Sequence, residues 1–268
     1  MSGFTADWLT LREPYDARAR NPAVRNTAAA AFANWRSISI VDLACGTGST
    51  LRALADYLPP QQNWKLIDND FGLLSRAADT SHPRAKITTA AVDLARDLEA
   101  ALDGAVDLVT TSALLDLVSD RWLERLAIEL AARKLPFYAA LTYDGRITLE
   151  PADPFDAAII AAVNDHQRRD KGFGPALGPI AASQAVKRLQ DVGYSVMQGS
   201  ADWVLGPQDR EIQVSVLDGW AGAAREAGQQ SLAEIVAWLT RRRDAVAHGR
   251  SSIRVGHVDV FADPIGLR

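Results

Sequence analysis

Cysteine is nearly absent. A single residue, Cys45, among 268 excludes an intrachain disulfide and a cysteine-cluster zinc site. Histidine is sparse as well. His82, His166, His248 and His257 are scattered, with no metal-ligand spacing such as HExxH, so no metal is expected. No apolar run reaches the roughly 18 residues that a membrane helix needs, which argues against a membrane partner. The opening MSGFTADWLT has no basic segment followed by an apolar core, so no secretory signal is expected. An excess of positive charge is missing too: 29 Lys and Arg against 33 Asp and Glu leave a net charge of −4, which argues against a nucleic-acid partner. What remains is ordinary globular composition, 48% hydrophobic and 23% charged. A soluble, cytoplasmic protein of one or two domains is the expectation.

Strand and helix alternate through the first half of the chain. Residues 6–34 read as helices broken near Pro14 and Pro22. Short apolar or alternating runs at 37–44, 63–70, 85–94, 106–115 and 136–143 read as strands. Between them, 50–58, the FGLLSRAADT segment and 120–134 carry helical spacing. That pattern calls for a parallel sheet covered on both faces, with ligands bound beyond the carboxyl ends of the strands. After residue 150 the alternation lapses. Helices are expected over 153–170, 182–193, 209–226 and 231–248, strands over 194–205 and 251–262, and a Gly/Pro-rich loop over 171–181.

The stretch VDLACGTGST, residues 41–50, ends a buried strand with a carboxylate and then a glycine turn. Glycines let a ligand approach the backbone, and the start of the next helix offers free N–H groups. The dinucleotide fingerprint would need glycine at 44, 46 and 49; the chain has Ala44, Gly46 and Ser49. No Gly-Lys-Ser/Thr phosphate loop is present, and no lysine lies in the turn. A carboxylate at Asp42 would repel phosphate and welcome a cation such as an ammonium group.

Asp42-Leu43-Ala44-Cys45-Gly46-Thr47-Gly48 resembles motif I of class I S-adenosylmethionine-dependent methyltransferases, with alanine in place of the first glycine. The later strand ends extend the resemblance over about residues 36–143. It implies that Asp68, with Asn69 beside it, receives the ribose hydroxyls of S-adenosylmethionine. A carboxylate has two acceptor oxygens to match a vicinal diol. It further implies Asp93 and the Leu94 N–H at the adenine, and Thr111 and Ser112 beside the transferable methyl. Ala44, Cys45, Gly46 and Gly48 would form the cradle. The plainer readings are helix caps at Asp68 and Asp93, as at Asp70, and a packed rather than reactive thiol at Cys45. The fold implied is α/β, a doubly wound, mostly parallel seven-stranded sheet with a helical cap. Residues 1–35 would be an N-terminal helical lid, 36–149 the cofactor-binding core, and 150–250 a substrate cap with returning strands, all one domain.

Two stretches are candidates for the acceptor. In the first, residues 8–20, Arg12 would pair the methionyl carboxylate and Tyr15 would face the substrate. In the second, residues 164–179, His166, Arg169 and Lys171 would grip the acceptor at the mouth of a glycine-shaped lid. His166 is the candidate base for an oxygen acceptor; an amine needs only its lone pair, and a carbon acceptor stays open. No Asn/Asp-Pro-Pro-Tyr/Phe motif follows the fourth strand, which disfavours nucleic-acid amino methylation. Methyl transfer to a small-molecule acceptor, releasing S-adenosylhomocysteine, is the expected function. A non-catalytic binding protein of the same fold and a nicotinamide oxidoreductase are the alternatives, and the assembly state is left open.

Overall fold

Ser37–Leu43 forms β1, in which Ile38, Ile40, Val41 and Leu43 are all buried. A strand apolar on both faces belongs in the middle of a sheet. β1 pairs in parallel with β2 (Gln61–Asp68) on one side and β4 (Leu108–Ser112) on the other. β3 (Ala85–Ala91) lies beyond β2, and β5 (Phe137–Glu150) beyond β4, again in parallel. β8 (Ser252–Pro264) runs antiparallel to β5, and β6 (Tyr194–Ser200) closes the order β3-β2-β1-β4-β5-β8-β6. The structure is a computed structural model describing residues 4–266. The outermost residues of the expected lid (1–3) and of the chain (267–268) lie outside the described residues.

An eighth strand joins the seven expected. The run expected as one strand over 194–205 breaks after Ser200, and β7 (Trp203–Leu205) pairs with Ile253–Val255 at the near end of β8. β5 extends seven residues past its expected end at Tyr143, which gives β8 a long antiparallel partner out to Glu150. The register of that pair shifts twice, between Ala139 and Thr142 and between Tyr143 and Ile147. Such irregularities bend strands and re-aim side chains.

Helices cover both faces of the sheet. α2 (Pro22–Ala30), α3 (Ser49–Leu54) and α4 (Phe71–Ala78) pack on Ile38, Ile40, Trp64 and Tyr138. α5 (Leu98–Ala101), α6 (Asp120–Arg133) and α8 (Ala181–Asp191) pack on Val41, Leu43, Val109 and Phe137. α5 is a single turn that the sequence pattern did not announce. The outer arms of β5 and β8, with β7, support a third core. Against them lie α7 (Asp156–His166), α9 (Arg210–Ala227) and α10 (Leu232–Ala247). A polar knot closes this unit. Asp156 accepts from Arg242 Nε at 3.0 Å, from Trp238 Nε1 at 2.8 Å and from the Asp153 amide at 2.8 Å. Arg242 is itself buried.

α1 (Ala6–Ala19) roofs the carboxyl ends of the strands. Pro14, expected to break it, lies inside the helix. Proline removes one backbone hydrogen bond there. Across the same turn, Arg12 Nε and Nη2 reach Asp16 at 2.9 and 3.2 Å. The other expected break is present, at Arg20–Asn21 just before Pro22, where the Asn21 side chain caps α2 by accepting from the Ala23 and Val24 amides. Buried Asp259 of β8 fixes this corner. It accepts from the Asn21 amide at 2.8 Å and, through its other oxygen, from the Leu141 amide at 2.8 Å. Leu141 holds a left-handed φ of 56° at the first register shift of β5, so the pin ties the lid to the kink.

Candidate active site

A cleft opens where β1 and β4 diverge, between the turn after β1 and the underside of α1. Leu9, Arg12 and Asp16 form its roof, and Ser112 and Ala113 its far wall. The turn is built backbone first. Ala44, Gly46 and Gly48 have φ of 53°, 55° and 84°. The Cys45 amide donates to Ile67 C=O at 2.8 Å, tying the turn to β2. A Cβ on Gly46 would stand 3.1 Å from Leu9 Cδ1, so glycine there lets the lid approach. Ala44 takes the same left-handed conformation with a Cβ, which is intrinsically costly for an L-residue.

Asp68 fastens the turn from the end of β2. Its Oδ2 accepts from the Gly46 amide at 2.9 Å, and its Oδ1 accepts from the Asn69 and Asp70 amides at 2.8 and 3.0 Å. An ionised carboxylate offers about four lone-pair sites, so three are already engaged with backbone. Asp70 is the N-cap of α4, as expected. Cys45 is buried, and burial together with the Asp42 and Asp68 charges drives its thiol far up. It is a packed thiol and no nucleophile.

Asp42 is fully buried at the end of β1. Thr110 Oγ1 donates to its Oδ1 at 2.8 Å, while its Oδ2 has no hydrogen-bond partner. Burial pushes its carboxyl up to about 7, against the pull of the Thr110 hydroxyl and the Arg20 charge. Arg20, also buried, donates from Nη2 to Ser112 Oγ at 3.3 Å, and its Nε and Nη1 are unpartnered. Burial works against its charge, but Tyr138 and Asp259 outweigh it and hold its pKa above the ordinary arginine value. One acceptor oxygen and two donor nitrogens, all buried and unsatisfied, thus stand at the head of the glycine turn. Leaving them so is costly. An α-amino acid group, with ammonium and carboxylate on one carbon, satisfies both.

The remaining candidates divide. Arg12 lines the cleft, but its guanidinium is engaged by Asp16 and stacks 5.0 Å from the Trp203 ring. Thr111 does not reach the cleft; its hydroxyl is buried and donates to Leu43 C=O at 2.8 Å. Asp93 accepts from the Ala95 amide at 3.0 Å and lies 3.5 Å from Arg96, on the flank of the sheet. Leu94 is buried there, its carbonyl accepting from Trp122 Nε1. Tyr15 faces Asp209 and Arg18, whose guanidinium sits 4.6 Å over its ring. His166 is held by Glu226 at 3.0 Å and Lys171 at 3.3 Å on the side of the cap, and Arg169 is exposed. The 171–177 loop is shaped by Asp170, which accepts from the Gly172 and Gly174 amides, and it docks through Leu177 N on Val118 C=O.

Sequence reasoning missed Arg20. Its signal was slight: a basic residue just before Asn-Pro, where one helix must stop and another begin. It also missed the aromatic cluster beyond Arg12. Trp203 donates to Asp16 at 2.9 Å and stands 5.4 Å from His257, which stands 6.2 Å from Tyr143. These residues lie far apart in the chain and carry no motif. Among the described residues no group of side chains could hold a metal ion, and no helix is long and apolar enough to cross a membrane.

Sheet order, glycine turn and buried acid together define a Rossmann-like nucleoside-binding fold of the methyltransferase kind. Residues 40–136 match the family model described as a methyltransferase domain. The matched segment, from β1 to the end of α6, is thus similar to a methyltransferase domain, and it is the part that carries the glycine turn, Asp42, Asp68 and Asp93. Solved structures with the same fold include a candidate type II methyltransferase from Anaeromyxobacter dehalogenans. It is 17% identical, with 93% of this chain and 98% of that one covered and a TM-score of 0.54. A candidate methyltransferase from Bacillus halodurans is 14% identical over 91% and 99% of the two chains, with a TM-score of 0.51. A cyclopropane-fatty-acyl-phospholipid synthase-like protein from Lactobacillus casei is 14% identical over 97% and 94%, with a TM-score of 0.50. No curated protein sequence matches the chain.

Proposed function

We propose that this protein is an S-adenosylmethionine-dependent methyltransferase that transfers the methyl group to a small-molecule acceptor through an oxygen or nitrogen nucleophile. The observation that carries this reading is the narrowness of the cleft: Leu9, Arg12 and Asp16 of α1 roof it, Ser112 and Ala113 close its far side, and buried Trp203 and His257 pack behind Arg12. A polymer would need an open groove; a small acceptor needs a recess that excludes water. In this reading residues 1–35 act as lid and residues 150–250 contribute the acceptor-side cap.

The cofactor roles follow from the orphaned groups. Asp42 Oδ2 would receive the ammonium of S-adenosylmethionine, and Arg20 its carboxylate, in the place first expected of Arg12. Asp68 would offer its remaining acceptor capacity to the ribose diol, with Asn69 beside it. Asp93 and the Leu94 amide would meet the adenine. The cofactor supplies a sulfonium methyl that is already electrophilic. The chain's work is to hold donor and acceptor in line and to exclude water.

The test has two arms. S-adenosylhomocysteine titrated calorimetrically into Arg20→Met and Asp68→Ala should bind about 1.5–3 kcal/mol more weakly than to the wild type, the usual loss for a charge-assisted hydrogen bond. Labelled methyl donor incubated with metabolite, RNA and protein pools should deliver label to the metabolite fraction. Label confined to polymer would sink the small-molecule reading.

A further inference from the structure

The chain leaves β4 through Ala113, whose φ of 53° is left-handed and whose amide donates to Ala140 C=O at 2.9 Å. Both Ser112 and Ala113 line the cleft. Three residues on, Asp116 is 5% exposed. Its backbone carbonyl accepts from the Gly178 amide at 2.9 Å, so the 164–179 loop holds it from behind. Its side chain is different. Oδ1 is buried with no hydrogen-bond partner, and Asp116 forms no ion pair among the described residues. The cations that face it are Arg12 from α1 and Lys171 from the loop. Both already have partners: Arg12 is held by Asp16, and Lys171 is 3.3 Å from His166. On the β5 side the Tyr143 amide faces it. A buried carboxyl beside committed cations is therefore left with a free acceptor atom at the exit of β4.

Two other buried titratable groups belong to the same cluster, Tyr143 beside Asp116 and His257 beside Arg12. Burial and the Arg12 charge drive His257 down to about 3, so it is neutral and a feeble base at neutral pH. Burial, with the charges of Asp144 and Asp116, drives the Tyr143 hydroxyl well up, and that hydroxyl donates to Asn164. Burial lifts Asp116 to about 6, with Arg12 and Lys171 restraining the rise. A general base works best with a pKa near the operating pH.

We propose that Asp116 is the general base of this enzyme and that the acceptor is a flat hydroxyl compound of the phenol class. This rests on the small-molecule reading above. A neutral amine attacks without a base, and an ammonium would meet Arg12 and Lys171. A hydroxyl needs its proton removed, and Asp116 offers an unused oxygen for it. In the step, the acceptor O–H proton passes to Asp116 Oδ1, and an oxygen lone pair forms the new bond to the methyl carbon. The sulfonium C–S bond breaks with its electron pair left on sulfur, giving the methyl ether and neutral S-adenosylhomocysteine. Beside this cluster the rings of Trp203, His257 and Tyr143 stand in series, 5.4 and 6.2 Å apart, and a run of aromatic side chains suits a flat acceptor body.

The experiment offers labelled methyl donor and either phenol, 4-nitrophenol or aniline to the wild type, Asp116→Asn and Asp116→Glu. The wild type should methylate both phenols, with kcat/KM rising through an acid limb near about 6. Asp116→Asn should lose that limb and on the order of 100-fold or more in rate with phenol. Its loss with 4-nitrophenol should be much smaller, because that acceptor ionises without help. Asp116→Glu should recover part of the rate. S-adenosylhomocysteine affinity should stay within twofold in both variants. Methylation of aniline alone, of no probe, or an equal loss on both phenols in Asp116→Asn would overturn the proposal. Failure of the wild type to bind S-adenosylhomocysteine would overturn the underlying reading as well.

Discussion

The two halves of the cleft are held together in opposite ways. On the cofactor side the groups are fixed by backbone: Asp68 takes three amides, and the Cys45 amide is bonded to Ile67. The residues involved sit at the carboxyl ends of β1 and β2, within one strand–helix–strand unit. On the acceptor side the groups are fixed by one another, side chain to side chain, across great sequence distances. Trp203 reaches Asp16 across 187 residues, and Tyr143 reaches Asn164. The first arrangement tolerates little change because the main chain itself makes the site. The second can be rebuilt by substitution while the sheet stays intact, which is where an enzyme family can vary its acceptor.

That contrast can be broken or sharpened by substitution. The largest effect is expected at Asp156, the centre of the knot that closes the cap. Asp156→Ala leaves buried Arg242 without its partner, a change that ordinarily costs about 3–5 kcal/mol. Thermal unfolding should show that loss, while the folded fraction should bind S-adenosylhomocysteine with wild-type affinity. A parallel loss of affinity would mean that the two halves are not separable. The next effect is at Asp42 and depends on pH. Its folded pKa lies near about 7, above the ordinary 3.8, so between those values the folded state binds more protons than the unfolded one. Stability from this group is therefore present below about 4 and is lost as pH rises through about 7, by up to about 4 kcal/mol. Asp42→Asn removes that dependence. The variant should gain melting temperature relative to the wild type at pH 8, gain nothing at pH 4, and bind S-adenosylhomocysteine more weakly at pH 8. A stability difference that does not change with pH would show that folding leaves the Asp42 carboxyl at its ordinary value. The smallest effect is at Ala44. Ala44→Gly relieves a left-handed residue and should stabilise the protein by about 1 kcal/mol, read as a small rise in the midpoint of a denaturant titration. An unchanged or lowered midpoint would show that the turn is relaxed with alanine in place.

The same contrast decides what was legible in advance. The order of strands, the glycine turn and Asp70 as a cap could be read because each is a local pattern of apolar runs and turn residues. Pro14 misled because a proline is read as a stop, whereas here the Arg12–Asp16 pair spans it. Thr111 and Ser112 are neighbours at the end of β4, and the pleat sends their side chains to opposite faces. Only the second lines the cleft, and nothing in the sequence told which. Arg20, Trp203 and His257 were illegible for a simpler reason. Their partners are 92 residues away for Arg20 and Ser112, and 187 for Trp203 and Asp16, and no periodicity reports a contact of that range. His166 drew attention by its chemistry, yet α7 turns it toward Glu226 on α9.

The pin made by Asp259 bears on traffic through the enzyme. It grips the corner after α1 from inside the core, through two charge-assisted bonds to backbone. The other end of α1 is tied to α4 by the exposed pair of Asp7 and Arg76 at 3.9 Å, and its middle to α3 by Glu13 and Arg52, contacts of the kind usually worth less than about 1 kcal/mol each. A plank nailed at one end and tied at the other lifts from the tied end. If the cleft holds the cofactor as proposed, spent nucleoside would leave past Leu9, over the glycine turn, while Arg20 keeps its place. The protein would then trade its cofactor without disturbing the core behind Arg12.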